Sequence, residues 1–136
     1  MDGVLEDVFR PKRLFNLVEA NRALPLVSRI MDDIVRSTLE RDAALEQARK
    51  LLASGKSSDA QAEEDRAQNL DDEKDAFIEE LQGIGCLCKD PVRGLVDFPS
   101  RLEDRIVFLC WQRGEPEILF YHELDGGFVG RKPVPL

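Results

Sequence analysis

Hydrophobic positions with helical spacing dominate the first two thirds of the chain. Asn16 followed by Glu19 three residues later is typical of a capping box and predicts that the first helix begins there. Pro25 predicts a kink or a restart, because proline lacks the amide proton that a helix interior needs. From Leu26 to Leu52 nothing breaks the helix, and its apolar face is wide enough in the first half to meet two neighbours.

A second helix is predicted after the loop Ser54–Ser58. Asp59 is a suitable N-cap, and Gly83 and Gly85 favour an end near residue 84. Each helix is expected to span about 25 residues, or ~40 Å at the helical rise. Three- and four-residue spacing predicts an antiparallel helix pair, and the positions of this seam are Ala67, Leu70, Lys74, Phe77, Leu81 and Ile84.

Alternating apolar and polar positions replace the helical pattern in the last third of the chain. Short loops between three such runs predict an antiparallel meander. The three predicted strands are Leu95–Arg101, Arg105–Trp111 and Glu117–Glu123. We therefore expect one α+β domain in which a long antiparallel helical hairpin comes before a small three-stranded antiparallel sheet. Its predicted parts are a tail (1–13), the hairpin (14–85), and the meander with a C-terminal tail (86–136).

Simple hairpins would place residue 101 opposite 105 and residue 111 opposite 117. This register puts Phe98, Phe108 and Phe120 side by side on the helix-facing side of the sheet. It also puts Asp97 and His122 on opposite faces, which argues against a joint site. Both faces are rich in apolar residues, so the second face needs a cover, either the C-terminal tail or another subunit.

Charge and cysteine usage exclude several classes of partner. Charged residues make up 34% of the 136 positions, and the net charge is −8. Ten acidic and three basic residues lie in 54–83, so this segment carries nearly all of that charge and argues against nucleic-acid or anionic-membrane partners. The longest apolar run, Ile106–Trp111, is too short to cross a bilayer. Three cysteines without a signal peptide predict a cytoplasmic protein.

His122 is the only histidine and therefore the first candidate for site chemistry. It can act as a metal ligand or as an acid or base, with Glu19 and Glu123 as further candidate metal ligands. The alternative is a half-buried histidine that bonds a helix group such as Glu19. A single histidine with scattered carboxylates favours this second interpretation.

Asp97 lies between two apolar residues, and a buried carboxylate needs a partner. Arg131 and Arg93 are the predicted partners, in a pair that is structural rather than catalytic, and Arg131 can also clamp a ligand carboxylate. Cys86 and Cys88 can bind metal, but two cysteines alternating on a strand are expected to pack instead, and Cys110 lies too far along the chain to be assigned either role. The residues identify neither a catalytic group nor a cofactor. The candidate binding residues are His122, Glu123, Arg131, Glu19, Asp97 and Arg93.

Two segments of the carboxy-terminal third carry a resemblance. They are DPVRGLVDFP at 90–99 and CWQRGEPEILFYHELDGGFVGR at 110–131, and the opening at Phe15–Pro25 agrees with them. The chain resembles an uncharacterised bacterial family, domain of unknown function 2203, over about residues 14–133. The resemblance implies a helical hairpin with a small sheet, and it implies no activity.

Two classes of function follow from these patterns. The leading hypothesis is a non-enzymatic interaction or regulatory protein that self-associates through its hairpin. A homodimer is expected because a lone hairpin would leave apolar side chains uncovered, and a two-fold four-helix bundle would bury them. These side chains are Met31, Val35, Thr38, Phe77 and Ile78. The alternative is a metal or small-molecule site at the helix–sheet junction, with or without enzymatic activity.

Overall fold

A computed structural model describes residues 11–135, so most of the predicted tail at 1–13 lies outside the described residues. Two long helices come before one antiparallel sheet with strand order β1-β2-β3-β4-β5. In chain order the elements are α1 (Leu17–Ala53), α2 (Ser57–Ile84), β1 (Leu87–Asp90), β2 (Leu95–Leu102), β3 (Arg105–Gln112), β4 (Phe120–His122), a 3-10 turn (Phe128–Gly130) and β5 (Lys132–Pro133). The predicted α+β class with a helical hairpin is confirmed, and β1 and β5 add two strands to the predicted three.

The start of α1 is the predicted capping box. The backbone amide of Glu19 donates to the Asn16 side chain at 2.7 Å, and the amide of Asn16 donates to the Glu19 carboxylate at 3.0 Å. Of the two outcomes predicted at Pro25, the restart is wrong, since α1 includes Pro25 in one helix of 37 residues, and the kink stays a prediction. Buried side chains lie on both sides of Pro25, including Leu24 and Val27, so packing holds the helix together across the missing hydrogen bond.

The hairpin turn is shorter than predicted. Ala53 ends α1, and α2 begins at Ser57 with Lys56 in the N-cap position, so Asp59 lies in the first turn instead of capping it. At the other end Gly85 takes a left-handed conformation with φ 108°, as expected for a residue that closes a helix. The 37 and 28 residues of the two helices exceed the predicted 25 because neither Pro25 nor the loop serines shorten them.

Burial within one chain removes the reason given for a homodimer. Met31, Val35 and Thr38 are buried, and Phe77 and Ile78 are partly buried against the same core. The wide face of α1 meets α2, while core residues of the sheet such as Phe98 and Trp111 belong to the same cluster. The expected uncovered surface is therefore not found at these five positions. The homodimer itself stays a prediction.

The turn between β2 and β3 sets the register of the sheet. Leu102 pairs with Arg105, which leaves a two-residue turn with Glu103 at φ 57°. The predicted register assumed a three-residue loop and is wrong by one residue. Such a shift moves every side chain of β2 to the other face relative to β3. Phe98 consequently pairs with Leu109 rather than with Phe108.

The two faces of the sheet follow from this register. Val96, Phe98, Leu109 and Trp111 face the helices in the main hydrophobic cluster, and the Phe98 ring meets Phe15 edge-on at 5.3 Å. The outer face carries Asp97, Phe108, Cys110, Phe120 and His122 by strand alternation. The predicted row of Phe98, Phe108 and Phe120 is therefore wrong, because Phe98 lies on the opposite face from the other two.

A side chain of α1 shortens the last long strand. The Ile118 amide donates to the Asn21 side chain at 2.7 Å, and the Asn21 amide group reaches the Ile118 carbonyl at 3.4 Å. Ile118 is thereby bonded to the helix instead of to β3. Strand β4 starts only at Phe120 and pairs two residues further along than predicted, with His122 opposite Phe108.

Neither helix, within residues 11–135, has an apolar stretch long enough to cross a lipid bilayer.

Candidate functional site

Three titratable side chains converge on the outer face of the sheet. Asp97 in β2 pairs with Cys110 in β3, and His122 in β4 lies one row away, opposite Phe108. Asp97, Cys110 and His122 are 2%, 1% and 3% exposed, so all three are withdrawn from solvent. We refer to them as the Asp-Cys-His cluster. Among the described residues they are the one group of three whose potential ligand atoms all lie within 4.8 Å of one another.

The hydrogen bonds of His122 define what its ring nitrogens must carry. Nδ1 lies 2.7 Å from the backbone carbonyl of Glu123, and a carbonyl only accepts, so Nδ1 holds a proton. Nε2 lies 3.0 Å from both carboxylate oxygens of Asp97. A neutral ring would then point a lone pair at a carboxylate. This contact requires a positive species between Nε2 and Asp97, either a proton or a metal ion.

The protonation of His122 agrees with this geometry. Burial by itself lowers the pKa of His122, but the hydrogen bonds to Asp97 and to the Glu123 carbonyl outweigh it and raise the pKa above its ordinary value. In the metal-free protein the raised pKa favours a protonated His122 ring, which donates from Nε2 to Asp97. A buried charged group needs such a fixed partner, because taking a charge out of water is costly.

Cys110 supplies the third group of the cluster. Burial is the main cause that raises the pKa of its thiol to about 11, and the Asp97 charge adds to it. Arg131 opposes this shift through its charge and through a side-chain hydrogen bond to the thiol. Cys110 is therefore a neutral thiol at neutral pH unless a cation displaces its proton.

The cluster borders a cavity of about 260 Å³ on the outer face. Leu95 and Phe108 from the sheet, and Leu124 and Phe128 from the segment after β4, form its apolar walls. Lys89 and Asp125 are its other charged lining residues, and Gly127 contributes backbone. The cavity lies away from the helices, so the cluster is not at the helix–sheet junction where a site was predicted. The segment after β4 supplies part of the expected cover for this face.

A larger groove of about 640 Å³ runs between the start of α1 and the loop before β4. Two of its polar side chains, Asn21 and Glu115, are already used within the fold. Asn21 bonds Ile118, and the Glu115 carboxylate accepts from Arg131 at 3.0 and 2.8 Å. Size alone therefore does not make this groove the better candidate, and the chemistry lies in the smaller cavity.

The structure distributes the predicted site residues over several places. Of the six, it brings together Asp97 and His122, and the prediction that they lie on opposite faces is wrong. Asp97 bonds His122 instead of the predicted Arg131 or Arg93, because the register brings the ring and not a guanidinium onto its face.

The other four predicted residues have partners outside the cluster. Arg131 pairs with Glu115 and lies over two phenylalanine rings, while still reaching Cys110. Arg93 lies 4.6 Å from the centre of the Phe128 ring. Glu123 accepts from Arg105 at 2.8 and 2.9 Å, and Glu19 belongs to the capping box. The expected bond between His122 and Glu19 is replaced by the bonds to Asp97 and the Glu123 carbonyl.

Two residues of the cavity were missed by the sequence reasoning. The role of Cys110 stays open in the sequence, and the correct strand register places it directly beside Asp97. Lys89 precedes the first predicted strand and was given no role. In the structure the pairing of β1 with β2 shifts between Cys88 and Asp90, which leaves Lys89 as the extra residue of a bulge. Bulges change the direction of side chains and often lie beside functional sites.

Comparison with known proteins places the chain in a family. Residues 13–134 match the model for an uncharacterized conserved protein, DUF2203. The chain belongs to the DUF2203 family. Comparisons of this DUF2203 protein with curated proteins and with solved structures find no match. The family is described as uncharacterized, so the argument for function rests on the Asp-Cys-His cluster.

Proposed function

We propose that this DUF2203 protein binds one divalent transition-metal ion in the Asp-Cys-His cluster. The observation that carries the proposal is the contact of His122 Nε2 with both oxygens of Asp97 while Nδ1 is committed to a carbonyl. A proton or a metal ion must lie between Nε2 and Asp97, and a metal ion can take the place of the proton. Metal-binding histidines commonly donate their second ring nitrogen to a backbone carbonyl in this way.

A metal accounts for more of the cluster than a proton does. A proton satisfies Asp97 and His122 but gives Cys110 no role. A metal ion takes all three groups, and the charges of a carboxylate and a thiolate neutralise a dication in a buried place. In a tetrahedral zinc site the ligand atoms are roughly 3.3–3.6 Å apart, as follows from bonds of about 2.0–2.3 Å. His122 Nε2 lies 3.0 Å from Asp97 Oδ1, and all potential ligand atoms of the cluster lie within 4.8 Å of one another. These distances bracket the value for a zinc site, so small side-chain movements would bring the three groups into ligand positions.

The donor atoms favour particular metals. Carboxylate, imidazole and thiolate together suit zinc, iron(II) or cobalt(II), whereas magnesium and calcium prefer sites made of oxygen. Zinc is the first expectation, because it accepts mixed ligands in tetrahedral geometry. The proposal includes no enzymatic reaction. The free state of all three cysteines agrees with a cytoplasmic location, which we propose as well.

Metal content tests this proposal. Purified protein should hold about one equivalent of zinc after exposure to zinc and removal of the excess, and Asp97→Asn, Cys110→Ala and His122→Ala should each lose it. Cys88→Ala is the matched control, since Cys88 is half-buried and packs against the main hydrophobic cluster rather than the cavity. Equal metal content in Cys110→Ala and Cys88→Ala would remove Cys110 from the site. A zinc content equal to that of the wild type in all three cluster variants would refute the proposal.

Self-association is a second proposal, supported by a different surface from the one first expected. Leu39, Leu45 and Leu52 on the far half of α1 are each about half exposed. Leu45 and Leu52 are seven residues apart and therefore lie on one side of α1, where together they offer an apolar surface to a partner. A homodimer through this half of the hairpin predicts twice the chain mass in light scattering, and Leu45→Glu should give the monomer. Val35→Glu does not discriminate, because Val35 is buried within one chain and its change would affect folding.

A further inference from the structure

The three protein ligands of the proposed metal leave one coordination position to be filled. Zinc sites that bind exchangeable molecules use three protein ligands, whereas structural sites close with four. Within residues 11–135 no fourth histidine, cysteine or carboxylate joins the Asp-Cys-His cluster. The three ligands border the cavity of about 260 Å³, so an exchangeable molecule has room to reach the metal from that side.

Lys89 gives this cavity a positive charge at a defined place. Its ammonium nitrogen lies 5.4 Å from the centre of the Phe108 ring, over a residue that lines the same cavity. The bulge in β1 places Lys89 outside the regular pairing with β2. Its charge also acts on His122, where it opposes the rise in pKa. Lys89 is thus near enough to the cluster to affect a charged group bound there.

The charges of the cavity select the sign of the missing ligand. A divalent metal with the Asp97 carboxylate and the Cys110 thiolate is neutral, so the other charged side chains of the cavity decide the sign of the ligand. Lys89 and Asp125 both line the cavity with exposed side chains, but of the two only the Lys89 charge acts on the pKa of His122. An anion bound to the metal can accept a hydrogen bond from Lys89, and such charge-assisted bonds are strong.

We propose that the fourth position binds a small carboxylate, held jointly by the metal ion and the Lys89 ammonium. The inference rests on the proposed metal site and names the class of molecule that the site takes. One carboxylate oxygen forms a bond to the metal while a metal-bound water leaves, so the exchange involves no change in oxidation state. The cavity has room for several water volumes of about 30 Å³ each, enough for a carboxylate with a short carbon chain.

Cobalt(II) provides the test, because its visible spectrum reports both its ligands and their exchange. We expect the cobalt-loaded protein to show a thiolate-to-cobalt charge-transfer band, and acetate to change the visible bands until saturation. Lys89→Gln should weaken acetate binding about tenfold, the effect of losing one charge-assisted hydrogen bond. Lys132→Gln is the matched control, since Lys132 is an exposed lysine of the same sheet that does not line the cavity.

The outcomes separate this inference from the metal proposal. A cobalt complex without the thiolate band, or no complex at all, overturns both. A complex with the band whose spectrum ignores acetate overturns the exchangeable position alone. Acetate binding that is equal in the wild type and Lys89→Gln removes Lys89 from the site and overturns the joint binding proposed here. Weaker binding in Lys89→Gln with unchanged binding in Lys132→Gln supports it.

Discussion

The two faces of the sheet bury different chemistry at adjacent residues. On the inner face Val96 and Phe98 pack against the helices in a cluster of apolar side chains. On the outer face Asp97, which lies between them, bonds His122 beneath a short connecting segment. Both faces exclude water to a similar degree, as the burial of Phe98 and Asp97 shows. The difference is what the burial does, since it stabilises the fold on one face and organises polar groups on the other.

Covering a polar cluster costs free energy that covering an apolar one does not. Buried ions need a partner to offset the loss of hydration, whereas buried rings stabilise the fold through the loss of hydration itself. A fold that places polar groups under cover therefore keeps them in fixed positions with their partners. The inner face therefore accounts for stability, and the outer face is the candidate for function.

Truncation of the inner face should have the largest effect on stability. Phe98→Ala removes a fully buried ring that contacts Phe15, and we expect a loss of about 3–5 kcal/mol in the free energy of unfolding. Urea denaturation measures it. Where the variant is folded, its zinc content should equal that of the wild type. A loss under about 1 kcal/mol would mean that Phe98 does not face the core.

Metal bound at the outer face should stabilise the folded protein by a smaller amount. At a zinc concentration of 100 times the dissociation constant, the folded state gains about 2.7 kcal/mol by mass action. Chelation should reverse the gain, and Cys110→Ala should not show it. Thermal denaturation with and without zinc measures this difference. The same gain in Cys110→Ala would place the metal elsewhere.

Substitutions in the turn between β2 and β3, which determines the face on which each residue lies, should have a still smaller effect on stability. Glu103 holds a left-handed backbone conformation at φ 57°, which glycine adopts without steric cost. Glu103→Gly should therefore raise the free energy of unfolding by up to about 1 kcal/mol, and Glu103→Val should lower it. Paired urea melts of the two variants decide this. A more stable valine variant would contradict the two-residue turn and, with it, the assignment of Asp97 to the outer face.

Substitution of the Glu123 side chain should have no measurable effect on metal binding, although Glu123 follows His122 directly. Its side chain accepts from Arg105 and stands outside the Asp-Cys-His cluster, which uses only its backbone carbonyl. Glu123→Gln should thus bind zinc as tightly as the wild type, in contrast to Asp97→Asn. Calorimetric titration of both variants compares them. A parallel loss in Glu123→Gln would show that charge near the cavity, rather than ligation, determines metal affinity.

The helices could be predicted from sequence because their signals are local. The capping box at Asn16 and the stop at Gly85 depend on residues within one turn, and both are found in the structure. The restart predicted at Pro25 is wrong for the opposite reason. The effect of Pro25 on α1 is overcome by packing with distant residues, and spacing along the chain does not report that packing.

The site depended on the register, and the register depended on one turn residue. A loop of two residues rather than three moves Asp97 from the face opposite His122 to the same face. Nothing in the residue type of Glu103 signals the left-handed conformation that makes the shorter turn possible. The shift of β4 follows from Asn21, a residue 97 positions away from its partner Ile118 in the chain. Cys110 joins the cluster only after both corrections.

Anomalous X-ray diffraction from crystals grown with zinc tests metal binding in the Asp-Cys-His cluster, because it locates the ion without reference to any variant. Data collected on both sides of the zinc absorption edge identify the element. We expect one strong zinc peak bonded to Asp97, to Cys110 Sγ and to His122 Nε2, with the fourth position directed toward Lys89. Crystals without a peak in the Asp-Cys-His cluster, with Asp97 and His122 still in direct hydrogen-bond contact, would contradict this expectation.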